Sequence, residues 1–207
     1  MQLTTDEKLS KRLFGVHQST RSLFKFQEGY FIIDENENVM FYAKRDRFFF
    51  HRNIQIHEGD SDHGPMILFV KDNSLSDSWG HFTVIDQRNG EVVGHIKRNF
   101  FASLIRERWE FYGPNNEFLA YAQAKSVPKT IIRKFGLLRA IPIVGPILQM
   151  FMRLHFELRD PQGNQFGEFN RRATLRDKYV MALGEYVPVD PRVIVAAAVL
   201  FDAGEGR

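Results

Sequence analysis

The chain has 207 residues, 43% hydrophobic and 26% charged, with a formal net charge of +3. That length suffices to bury a core in one domain, and the mild charge excludes a polyanion binder working by bulk charge alone. The absence of cysteine excludes disulfides, thiolate metal sites, iron–sulfur clusters and cysteine nucleophiles.

The opening "MQLTTDEKLSKRLFGVHQ" is polar and lacks the apolar core of a signal peptide, so a cytoplasmic location is expected. Residues 1–22 read as an N-terminal extension, partly flexible or helical, and residues 23–207 as a single domain. The twenty phenylalanines favour pleated, half-buried strands. "YFIIDENENVMFYAK" is an apolar run, a turn-forming cluster of Asp, Asn and Glu, and a second apolar run. "HFTVIDQRNGEVVGHIKR" repeats the plan, with Asn89-Gly90 supplying the positive-φ positions of a tight turn. "WEFYGPNNEFLAYAQAK" and "LHFELRDPQGNQFGEFNRR" repeat it again. The arms alternate as antiparallel strands with one buried face do.

The turn centres fall near residues 36, 88, 115 and 163, one or two units of roughly 26 residues apart. A slot near 62 holds "HEGDSDHGP", a longer turn, and a slot near 140 holds the irregular "KTIIRKFGLLRAIPIVGPILQMFM". Six slots predict about twelve strands, and closing them into a barrel removes exposed edges. Nine consecutive apolar residues, Val193 to Phe201, follow Asp190-Pro191, a good helix start. A helix of about 190–203 with no polar face must be buried all round. A twelve-stranded barrel is too wide for its own side chains to fill, and this helix fits its axis. The expected fold is therefore mainly β, a closed antiparallel barrel of about twelve strands around a buried C-terminal apolar helix. A core helix on an open sheet is the other arrangement that buries it.

On "FIIDENENVMFYAK", "FTVIDQRNGEVVGHIKRNFFASLIRERWEFYGPNNEFL" and "DPRVIVAAAVLFDAGEGR", the chain resembles the superfamily of Tubby C-terminal domains, phospholipid scramblases and LURP-one-related proteins. It is most similar to prokaryotic scramblase-related members. The resemblance implies a twelve-stranded closed barrel around a central helix. Tubby-type members bind phosphoinositides through a few basic side chains, a set that the sequence alone does not place residue by residue. Scramblase-type members carry a proposed calcium loop. "DENENV" has its acidic start, but Val39 stands at the sixth position where Gly is needed and Arg45 at the twelfth where Glu is needed.

Function is less sharply written. From Phe118 to Phe156 there is no acidic residue, and Lys125, Lys129, Arg133, Lys134, Arg139 and Arg153 interleave with Ile132, Phe135, Leu138 and Ile143. A basic, apolar segment over 125–153 suits a membrane interface, bases at the headgroups and apolar side chains pushed inward. The plainer reading packs its apolar side on the barrel. Pro142 and Pro146 break any long helix there. The uncharged stretch 140–152 is too short to span a bilayer. Lys97 and Arg98 make a second basic group that could join the first on one rim. His57, Asp60 and His63 are metal-ligand types without a metal-site spacing, so no metal is expected.

No nucleophile elbow, phosphate loop or dinucleotide fingerprint occurs, which points away from an enzyme and from any cofactor. No nucleic-acid motif occurs either, so no nucleic-acid partner is expected. The first reading is a non-enzymatic peripheral protein at the inner face of the membrane, its partner an anionic phospholipid or a phosphoinositide. The alternative is a soluble scaffold that binds a protein partner or a second copy of itself. Scramblase-related activity comes from the resemblance alone.

Overall fold

A computed structural model describes residues 3–19, 27–46, 52–74, 80–98, 108–125, 155–172 and 178–205. A short helix α1 (Thr5–Leu9) precedes β1 (Leu13–Gln18), β2 (Gln27–Ile33), β3 (Val39–Asp46), β4 (Ile54–Glu58), β5 (Met66–Asp72) and β6 (His81–Asp86). Then come β7 (Glu91–Arg98), β8 (Arg108–Tyr112), β9 (Phe118–Ala124), β10 (Phe156–Arg159), β11 (Gln165–Arg172), β12 (Lys178–Leu183) and helix α2 (Pro191–Glu205). Each strand pairs antiparallel with its chain neighbours, and β1 pairs with β12, so the twelve form a closed barrel. Closure leaves no row of unpaired backbone groups at an edge.

The strands follow from period two. In β6, Phe82 and Val84 point inward while His81, Thr83 and Ile85 are half-buried on the outer wall. The first stave, β1, lies inside the segment expected to be an N-terminal extension. Its Phe14 and Val16 are buried, but two inward residues between basic neighbours make a weak local pattern. Twelve strands also arise differently from the expected six hairpins. The described staves are five turn-linked hairpins plus β1 and β12, which meet at the seam. The slot near 140 lies outside the described residues.

The five hairpins share one design. Each shifts register by one residue beside its turn, at Ile32/Ile33, Ile56/His57, Val84/Ile85, Phe111/Tyr112 and Leu158/Arg159. Met40, Ile67, Val93, Leu119 and Phe166 are the residues skipped; four are buried, and Leu119 is half-buried against the core. Bulges of this kind sharpen strand twist, which helps a sheet close on itself. Three turns also share a backbone: Glu37, Asn116 and Gly163 occupy equivalent positions with φ of 65°, 62° and 89°. Asp34 and Asp160 brace their turns by accepting from the backbone N–H of Asn38 and Asn164 at 2.8 Å.

α2 fills the barrel. Every residue from Val193 to Phe201 is at most 4% exposed, the all-round burial that an apolar helix demands. Each of its larger side chains contributes on the order of 2 kcal/mol by leaving water. Phe201 is the hub, with ring centroids 4.6 Å from Phe156, 5.4 Å from Phe169, 5.5 Å from Trp109 and 6.4 Å from Phe111.

Both helix ends are tied to the wall. Asp190 caps the start, accepting from the Arg192 N–H at 2.8 Å. Arg192 also reaches Asp86 Oδ2 at 2.8 Å, and Arg88 reaches the same oxygen at 2.6 Å. At the other end Arg45 donates to the carbonyl of Ala203 and to Glu28, each at 3.0 Å. A cation there satisfies a terminal carbonyl and complements the helix dipole. Among the described residues no helix is long and apolar enough to cross a membrane.

Candidate functional site

Antiparallel order sorts the links between strands into two sets. The short turns, at 34–38, 59–65, 87–90, 113–117 and 160–164, join strands at the end where α2 begins, and 184–190 leads into α2 there. The connections 19–26, 47–53, 73–80, 99–107, 125–155 and 173–177 join strands at the end where α2 finishes. The first set holds nine Asp and Glu and one Arg. The second holds twelve Lys and Arg against three Asp and Glu, with ten Phe and Trp. Strand order thus attaches the connections rich in base and aromatic residues at one end of the barrel and the acid-rich turns at the other, where Lys8, Lys11 and Arg192 pair with Glu58, Glu35 and Asp86.

The candidate residues from sequence fall in three groups. Lys129, Ile132, Arg133, Lys134, Phe135, Leu138, Arg139 and Ile143 lie outside the described residues. Lys125 stands just past β9 with its side chain 67% exposed and Nζ 3.7 Å from Glu157, a weak surface pair at most. Lys97 and Arg98 separate, because successive strand residues face opposite sides. Lys97 lies on the outer wall, its Nζ 4.2 Å from the centroid of Tyr112. Arg98 stands opposite Trp109, which packs on Phe201 of α2, so Arg98 belongs to the inner face. Its guanidinium carbon is 5.7 Å from the Trp109 centroid. The two do not form one patch.

His57 is buried, its Nδ1 2.9 Å from the carbonyl of Gly64. It forms no ligand set with Asp60 and His63; among the described residues no three carboxylates and histidines are grouped to hold a metal.

Sequence reading missed two further groups. Inside the barrel, near the end of α2, Glu28, Tyr30, Arg45 and Asp202 form a polar island. The Tyr30 hydroxyl donates to Glu28 at 2.8 Å. Burial, and then the Glu28 charge, push that phenol well above its ordinary range, so it stays a donor at neutral pH. The island anchors α2. On the outer wall, His81, Thr83, His95 and Lys97 share one face of β6 and β7, with His81 opposite Lys97 and Thr83 opposite His95. Arg108 on β8 lies over Tyr121 at 4.2 Å, extending the cation–aromatic character of this wall. The signal was there in "HFT" and "HIK", two alternating strand fragments, but nothing local says that they pair.

Residues 41–202 match the family model described as LURP-one-related. The chain belongs to the LURP-one-related family. That family is part of the Tubby-like and scramblase superfamily, in line with the resemblance carried by the hairpins and terminal helix. An X-ray structure of a protein from Arabidopsis thaliana is similar over 93% of this chain and 91% of that one, with a TM-score of 0.50 at 12% identity. At that identity the likeness concerns the LURP-one-related fold alone. No curated protein is significantly similar in sequence.

Proposed function

We propose that this LURP-one-related protein is a non-enzymatic peripheral protein that docks on anionic membrane surfaces, phosphoinositide-bearing ones among them. It docks by the end of the barrel where α2 finishes. What carries this reading is the composition of the two sets of connections: twelve bases against three acids in those attached where α2 finishes, and nine acids against one base in the turns attached where it begins. Near an anionic leaflet each base contributes about 1 kcal/mol, so a handful hold the protein reversibly, and aromatic side chains favour the interface. The barrel supplies a rigid platform, and the connections supply chemistry, the usual split between scaffold and loops.

Co-sedimentation with liposomes tests it. Binding is expected to anionic but not neutral vesicles and to fall steeply as salt rises through the range where the Debye length shrinks below about 10 Å. Reversing Lys129, Arg133, Lys134 and Arg139 to Glu abolishes it, whereas Glu35→Gln with Asp62→Asn in the turns leaves it intact. Equal sedimentation of the reversed and natural proteins would sink the reading.

A further inference from the structure

The outer wall where β6 meets β7 gathers two histidines and a lysine, and among the described residues no carboxylate ion-pairs or hydrogen-bonds with any of them. His81 and His95 have ring centroids 6.0 Å apart. Asn73 Nδ2 donates to Thr83 Oγ1 at 2.7 Å, and that oxygen lies 3.0 Å from His95 Nδ1. Thr83 Oγ1 thus links Asn73 to Nδ1 of His95. Lys97 rests over Tyr112, with no carboxylate in ion-pair range among the described residues. His81 Nε2 is buried and has no hydrogen-bond partner among them.

The carboxylates nearby are engaged elsewhere. Glu110, directly across from Lys97 on β8, accepts from the Tyr112 hydroxyl at 2.9 Å and sits 3.2 Å from Arg108. Asp72 at the end of β5 is buried against Arg52. Lys71, across from Thr83 on β5, adds a further exposed cation.

We propose that His81, His95 and Lys97 form a binding site for a phosphate-type oxyanion, with Lys97 supplying charge and the two imidazoles supplying N–H donors. This goes beyond membrane docking, because it uses the strand wall and none of the connections. Burial first, then the Lys97 and His95 charges, hold His81 below the ordinary imidazole range against the opposing charge of Asp72. A bound anion opposes the charge effects and favours the imidazolium, so binding takes up protons and strengthens as pH falls through the histidine range. The shared chemistry is a phosphate monoester, free in solution or carried on a lipid headgroup.

The experiment is NMR titration of the histidine ring C–H signals of the full chain between about pH 5 and 8. It compares inorganic phosphate with chloride at equal ionic strength. Phosphate is expected to raise the midpoints of His81 and His95 and leave His17 unmoved. Lys97→Gln weakens the phosphate response about tenfold, and Lys44→Gln, on a distant wall, does not. Unchanged His81 and His95 midpoints, or an undiminished response in Lys97→Gln, overturns the site.

A second arm adds vesicles of phosphatidylcholine with or without a phosphatidylinositol phosphate. Midpoints raised by the inositol phosphate vesicles place the anion on a headgroup, and midpoints raised only by free phosphate make it a soluble ligand. Sedimentation with phosphatidylserine vesicles while phosphate leaves both midpoints unmoved keeps the docking reading and ends this one.

Discussion

Gly94 carries no side chain on the inner face of β7, and α2 occupies the space where one would be. A Cβ there would meet the Tyr112 carbonyl oxygen at 2.6 Å and a Val193 methyl at 2.9 Å, and neither backbone nor packed helix yields cheaply. Gly94→Ala is expected to lower stability by about 2 kcal/mol, read as a shifted urea midpoint. Gly163 is the contrasting case: a Cβ meets nothing, and only its φ of 89° resists. Gly163→Ala should therefore cost about 1 kcal/mol.

Asp86, 1% exposed, accepts from Arg88 and Arg192, and the Arg88 hydrogen bonds above all hold its carboxyl far below the usual carboxylate range. A carboxyl depressed in the folded state contributes fully above about pH 4 and loses that contribution as acid drives it toward its folded value. Asp86→Asn should destabilise the protein by about 3 kcal/mol at neutral pH. The gap should narrow progressively in unfolding curves taken below about pH 4, where the unfolded chain takes up a proton that the folded carboxyl still resists. A constant gap at every pH would show that Asp86 acts through packing.

Elements obey the same logic. α2 has no wet side, so Ala197→Glu sets an unpaired charge in a closed apolar core and should leave no folded protein by circular dichroism. A normal melting transition would remove α2 from the axis. Phe201→Ala empties the junction of four rings and should cost 3–5 kcal/mol, on the order of other aromatic truncations.

The helix and the hairpins were legible because each is a local pattern: nine apolar residues behind a cap, or a turn cluster between alternating arms. The seam was not, because β1 and β12 pair across nearly the whole chain, and Leu13 finds Ala182 through closure rather than through any nearby signal. The repeated bulges also escaped notice, since one extra residue beside a turn breaks alternation without leaving a mark of its own. Lys97-Arg98 read as a pair because neighbours in sequence look like neighbours in space. A strand sends them to opposite faces.

At the scale of the molecule, the informative quantity is the charge that topology collects. Arg47, Arg106 and Arg176 sit in different connections, and no window of sequence contains them together. Only the up-and-down order of twelve strands brings their connections to one end. A chain without cysteine makes that polarity easy to test, since a single introduced thiol takes a polarity-sensitive dye. The dye on Lys125→Cys should brighten on anionic vesicles, and the dye on Tyr186→Cys, at the acidic end, should not. A response at both positions, or at Tyr186 alone, would mean that the field does not set the docking orientation.

The position of α2 on the barrel axis also governs the order of events during synthesis. All twelve staves are made before the residues that fill them. Until Val193–Phe201 leave the ribosome, Phe41, Phe111 and Phe156 have no interior to line, and the nascent strands offer apolar faces to chaperones or to one another. A polypeptide halted before Pro191 lacks the part that fills the barrel, so it is expected to keep those apolar faces exposed. Packing of the domain is thereby made to wait for α2, the helix made after every stave.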